Sequence, residues 1–224
     1  MLWFDNSPWI GRRIKETPMK LYLSKQYRLA FVACVAVFVT ALALAQDIGA
    51  GIKAFRNCDY TTALRNFGPL AKQGDSKAQC ALGLAYKAGK GVNKNHATAV
   101  QWFGKSAKQG NSAAQTELGY MYMFGQGVKR NPKNAAAWFR CAAEAGHSKA
   151  QLSLGIAYIL GQGVQPNDVL AYKWLTLAKI AGQEKAAEGL TVLESSMTAA
   201  QIAKAKKLIN GWSPKTAPDQ RASK

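Results

Sequence analysis

Between Ser76 and Gly182 apolar residues fall three and four places apart, and the whole pattern returns thirty-six residues later, twice. Leu82 and Tyr86, four apart, share one helical face; Ala99 and Trp102, three apart, share another. Gly89-x-Gly91 and then Asn95 separate the two runs. Glycine accepts the left-handed conformation that stops a helix, and asparagine caps the start of the next. Each period therefore predicts two helices and a turn, the first about thirteen residues long.

The repetition is strict. A shift of 36 aligns Leu82-Gly83 with Leu118-Gly119 and Leu154-Gly155, and Trp102 with Trp138 and Trp174. Thirteen of the thirty-six columns are identical in all three copies. With common residues near ~7% usage, chance gives well under one such column. Ser76-x-x-Gln79, Ser112-x-x-Gln115 and Ser148-x-x-Gln151 read as capping boxes at the start of each first helix. Asn95, Asn131 and Asn167 cap the second helices, with Pro132 suited to a first turn. Gly83 and its equivalents sit in mid-helix, where glycine costs up to ~1 kcal/mol against alanine. A cost repeated at the same column points to close approach of a neighbouring helix. A single hairpin of this kind cannot bury its apolar face, whereas stacked hairpins can.

The columns A-Q-x-x-L-G-x-x-Y-x-x-G-x-G-V, then A-x-x-W and a closing glycine, as from Ala114 to Gly146, resemble the Sel-like repeat (SLR) family, related to tetratricopeptide repeats. Full copies occupy 76–111, 112–147 and 148–183. Residues 46–75 look like a shorter hairpin of tetratricopeptide length, with Gly51, Ala63 and Phe67 at its small-small-large positions. Residues 184–212 read as capping helices, opened in part by Thr198-x-x-Gln201, and 213–224 as a polar disordered tail. The resemblance implies an all-α, right-handed superhelical solenoid of antiparallel helix hairpins. It also implies that the first helices line a concave groove. The expected groove residues are Leu84, Lys87, Thr116, Tyr120, Met123, Phe124, Ile156, Ile159 and Leu160, with Lys77, Lys149 and Leu152 beside them.

Charge and leader add an address. Leu29 to Ala45 is seventeen residues without a charge, preceded by Lys20, Lys25 and Arg28 and ending Ala43-Leu44-Ala45. This reads as a secretory signal within residues 1–45, cleaved after Ala45, and Met19 would start a signal of ordinary length. An uncleaved anchor with the basic residues inside is the competing reading. Either way residues 46–224 are exported: into the periplasm of a Gram-negative bacterium, tethered to the inner membrane facing it, or secreted. This part holds 24 Lys+Arg and 10 Asp+Glu, so 24 − 10 leaves +14. Such a surface suits solubility or an acidic partner, and export excludes nucleic acid. Membrane contact is expected only through the leader, and the sequence leaves the oligomeric state undetermined.

Chemistry is sparse. Cys58, Cys80 and Cys141 do not recur in register and are expected as unpaired thiols, one pair remaining open. No metal spacing, phosphate loop or nucleophile elbow occurs, so no metal, cofactor or catalytic residue is assigned. His96 and His147 read as loop residues. The sequence thus points to a non-enzymatic interaction scaffold, and the resemblance to the Sel-like repeat family implies an adaptor or regulator serving an envelope signalling, polysaccharide or cell-wall system. It would bind an extended peptide or helix carrying acidic residues. A muropeptide or carbohydrate binder with cell-wall activity, or a secreted host-interaction factor, are the alternatives.

Overall fold

The computed structural model describes residues 48–215, so the leader and the last nine residues of the tail lie outside the described part. Ten helices and no strand make up the described residues. Helix α1 covers 48–56. It is followed by α2 (Tyr60–Lys72), α3 (Ser76–Ala88), α4 (His96–Lys108), α5 (Ser112–Phe124) and α6 (Pro132–Glu144). Then come α7 (Ser148–Leu160), α8 (Asp168–Ile180), α9 (Ala186–Ser196) and α10 (Ala199–Asn210). Each helix packs on the next in sequence from α2 to α9, forming an all-α solenoid of hairpins. The first helices of all three long repeats have the expected thirteen residues.

Close approach explains the mid-helix glycines. A Cβ on Gly119 would stand 2.5 Å from the ring of Phe139 on the second helix of the same hairpin. Gly83 meets Phe103 and Gly155 meets Leu175 in the same way, while Gly51 meets Phe67 in the short first hairpin. These four large side chains are at most 2% exposed. The tryptophans one position earlier do a different job. Trp102 packs on the core of the α2–α3 unit and Trp138 on that of the α3–α5 unit, joining each hairpin to the one before.

The Gly-x-Gly turn also has two functions. Gly125 ends α5 in the left-handed conformation at φ 69°, and the N–H of Gln126 reaches back to the Met121 carbonyl at 2.9 Å. Gly127 lies against the backbone of His96 and Ala97, at the start of the second helix of the preceding repeat, where no side chain would fit. Asn131 then caps α6 by accepting from the N–H of Asn134 at 3.1 Å. Asn95 and Asn167 cap α4 and α8 as expected.

The capping boxes at the first helices are a correction. The N-caps are one residue earlier: Asp75 accepts from the Ala78 N–H at 2.7 Å and Asn111 from the Ala114 N–H at 3.1 Å. The glutamines reach the preceding helix instead. Gln79 donates to the Ala71 carbonyl, Gln115 to Ala107 and Gln151 to Ala143, at 3.1, 3.1 and 3.3 Å. All three are buried, so each couples one hairpin to the next. A true capping box, with both reciprocal bonds, forms at Thr198 and Gln201.

The carboxyl end departs from the repeat. Helices α9 and α10 both pack on α8, and Leu175 is held between Gly155 and Gly189. The chain then turns back: Trp212 meets Trp174 edge-on at 6.3 Å, and the Lys215 N–H donates to the Glu144 carbonyl at 2.8 Å. The bare end of the stack is thereby covered.

Candidate functional site: the face of the first helices

Hydrogen bonds place the first helices side by side. The Lys87 ammonium on α3 meets Glu117 on α5 at 2.6 Å, and the Tyr120 hydroxyl on α5 meets Ser153 on α7 at 2.6 Å. Farther along, the Thr116 hydroxyl lies 2.9 Å from His147 Nδ1. Thr116 gives its single proton to the Ser112 carbonyl at 2.7 Å, so Nδ1 of neutral His147 carries the proton and donates to Thr116. Burial, then the nearby Lys149, lowers the His147 pKa, while Glu117 opposes them. His147 thus stands at the N-cap of α7 without capping it. It ties α5 to the start of α7, a role its loop-like place in the repeat did not suggest.

The expected groove residues fall into three groups. Phe124, Ile156 and Leu160 are exposed by 65, 41 and 59%, which is unusual for large apolar side chains set so close together. Leu84, Lys87, Tyr120 and Ile159 are half-buried. Met123 is buried at 7% but still lines the site. Thr116 is 1% exposed and occupied by Ser112 and His147, so its place in the groove is corrected to the interior between helices.

The geometry gathers part of this set around one hollow. A pocket of about 210 Å³ opens between α5 and α7, lined by Tyr120, Met123, Phe124, Leu152 and Ile156, with Phe139 as its floor and Ser153 and Gln162 at its edge. Tyr120 stacks on Phe124 at 6.3 Å and meets Phe139 edge-on at 5.0 Å, which fixes the wall. The volume is below the ~300–1,000 Å³ typical of small-molecule sites, so it suits one or two side chains of a larger ligand. A wider cleft of about 570 Å³ lies at the hairpin turns, lined by Lys133, Gly161, Gly163, Val164, Gln165 and Pro166. Leu84 and Lys87 belong to the neighbouring repeat, where Ala88 stands in the column of Phe124, and they do not line the pocket.

Reactive groups are scattered. Cys80 is buried, and burial with the Glu117 charge pushes its pKa up to about 11; Cys58 and Cys141 are exposed. All three are unpaired. Among the described residues no three His, Cys, Asp or Glu side chains gather as metal ligands, and no helix is long and apolar enough to cross a membrane.

Comparison with known proteins agrees with this architecture. The Sel1 repeat family profile matches residues 76–111, 112–147 and 148–182. A solved Sel1 repeat protein from Oxalobacter formigenes is 33% identical, with a TM-score of 0.62 over 65% of this chain and 60% of that one. A protective antigen of uropathogenic Escherichia coli strains with an SLR fold is 37% identical, with a TM-score of 0.64 over 70% of this chain and 34% of that one. The chain thus spans less than two thirds of either protein's length. No curated protein matches. Sel1 repeats generally mediate protein–protein interaction and are typically non-enzymatic scaffolds.

Proposed function

We propose that this protein, whose residues 76–182 are three Sel1 repeats, is a periplasmic, non-enzymatic adaptor that holds a partner protein on the α5–α7 face. The observation that carries the reading is the exposed row Phe124, Ile156 and Leu160 beside a pocket of about 210 Å³. Exposed singly, such residues would mean little; here Phe124 and Ile156 line the hollow, and Leu160 lies one turn beyond Ile156 on the same face of α7, as a docking surface would need. The pocket is mostly apolar, and the Ser153 hydroxyl at its edge is already engaged by Tyr120 and the Lys149 carbonyl. A sugar ligand would need more free polar groups than this, so a protein side chain fits better. Export rests on the leader at 1–45 and gives the periplasm as the working compartment. The partner there belongs to an envelope signalling, polysaccharide or cell-wall system.

The test pairs Phe124→Ser with Leu160→Ser in one full-length variant. Tyr120 is left intact because its ring and hydroxyl also hold the stack together. In-cell crosslinking is expected to give a defined adduct with the wild-type chain, and the double variant loses that adduct while its thermal melting is unchanged. An adduct that survives the double change contradicts the reading, as does its recovery only from the cytoplasmic fraction.

A further inference from the structure

We infer that the α5–α7 pocket takes an acidic amphipathic segment: a bulky apolar side chain enters beside Phe124 and Ile156, and carboxylates on either side of it meet Arg130 and Lys149. This rests on the docking-surface reading and adds the chemistry of the partner. Arg130, in the turn after α5, donates from Nε to the Met123 carbonyl at 3.1 Å, and Met123 itself lines the pocket. That bond uses one of five guanidinium N–H groups and holds the cation at the carboxyl end of α5, beside a residue that lines the pocket. Among the described residues no carboxylate pairs with it. A planar fork so placed matches a carboxylate.

Lys149 supplies the opposite end. It is exposed in the first turn of α7, four residues before Ser153 at the pocket edge. From Lys149 to Leu160 the helix rises about 16 Å at ~1.5 Å per residue. The trough is thus an apolar centre with a cation near each end. Few acids oppose them. Across α3, α5 and α7 the sole carboxylate is Glu117, which Lys87 holds at 2.6 Å. Glu188 and Glu194 lie beyond, on α9, and Glu194 accepts from the Tyr172 hydroxyl at 3.1 Å. Apolar contact supplies affinity here, and the charged ends choose the partner and its register.

The test titrates the full chain into two fluorescein-labelled peptides of about twelve residues, long enough for a helix to span the trough. Both carry Leu and Phe four apart at the centre; one has glutamates at both ends and the other lysines. The glutamate peptide is expected to bind at least about tenfold tighter, and Arg130→Glu reverses the order. Lys149→Glu, at an exposed side chain, is expected to act in the same direction and guards against a folding defect in the first variant. Equal binding of both peptides, or an order unchanged by either variant, overturns the inference. The Phe124–Leu160 crosslinking result is independent of peptide charge, so a docking surface of another chemistry would still register there. Failure of both peptides to bind also overturns it. So does displacement of the glutamate peptide by phosphatidylglycerol vesicles that need Phe124, which would assign the face to a lipid surface.

Discussion

Inside each hairpin and outside on α5 and α7, one repeat obeys two different rules. Inside, a Cβ on Gly83, Gly119 or Gly155 would lie 2.5–2.7 Å from Phe103, Phe139 or Leu175, and the glycine never varies. One residue along, on the outer side, the same column reads Leu84, Tyr120 and Ile156, and farther along Ala88, Phe124 and Leu160. Stacking fixes the first column as glycine, whereas it tolerates different side chains in the second, where Leu84 and Tyr120 still pack partly on the core. Where a repeated position is constant, it reports packing; where it drifts toward large exposed apolar residues, it is open to a ligand, which is the basis of the proposal for α5 and α7.

The sharpest way to break this contrast is at the inner column. Gly119→Val is expected to cost about 3 kcal/mol or more, because Phe139 is fully buried and cannot move aside. Thermal melting would fall by roughly 10 °C; an unchanged melt would contradict the placement. Next comes the joint between hairpins. Gln115→Ala removes a buried bond to the Ala107 carbonyl and leaves a small void, a loss of about 1–2 kcal/mol in chemical denaturation.

A smaller effect is read against pH. Burial holds the folded His147 pKa below its ordinary value of 6.5, so the unfolded chain binds more protons as the medium acidifies. The stability is complete above the unfolded pKa and is lost as pH falls below it. Melting from about pH 7.5 to about 5.5 is expected to show this decline, and His147→Asn to flatten it. That variant also supplies the α7 cap that Asn111 gives α5. The slightest perturbation is chemical labelling of the native chain. Iodoacetamide at mild alkaline pH is expected to modify exposed Cys58 and Cys141 and spare buried Cys80, whose thiol stays protonated. Rapid labelling of Cys80 would mean that the α3–α5 interior opens.

The hairpins, their lengths and the reason for the mid-helix glycines were legible because period and helix-stop chemistry are local. Phe124, Ile156 and Leu160 were legible as surplus apolar residues once the packing columns were filled. Long-range partners were not. The Ser-x-x-Gln pattern makes a capping box only if serine is the N-cap, and only the fold shows Asp75 and Asn111 taking the cap one residue earlier while glutamine crosses to the preceding helix. Thr116 shares the outward half of α5 in sequence, yet His147, thirty-one residues on at the start of α7, covers it. Trp102 and Phe103 are adjacent and both aromatic, and sequence spacing alone could not decide which meets the glycine. The return of the tail to Glu144 spans 71 residues and carries no local signal.

Hydrogen–deuterium exchange on the full chain, with and without its crosslink-identified partner, addresses the division between inner and outer columns most directly. Protection is expected at the carboxyl-terminal turns of α5 and α7, around Phe124, Ile156 and Leu160, with α6 and α8 unchanged. Protection of α6 and α8 with none on α5 and α7 would contradict the assignment of the outer face.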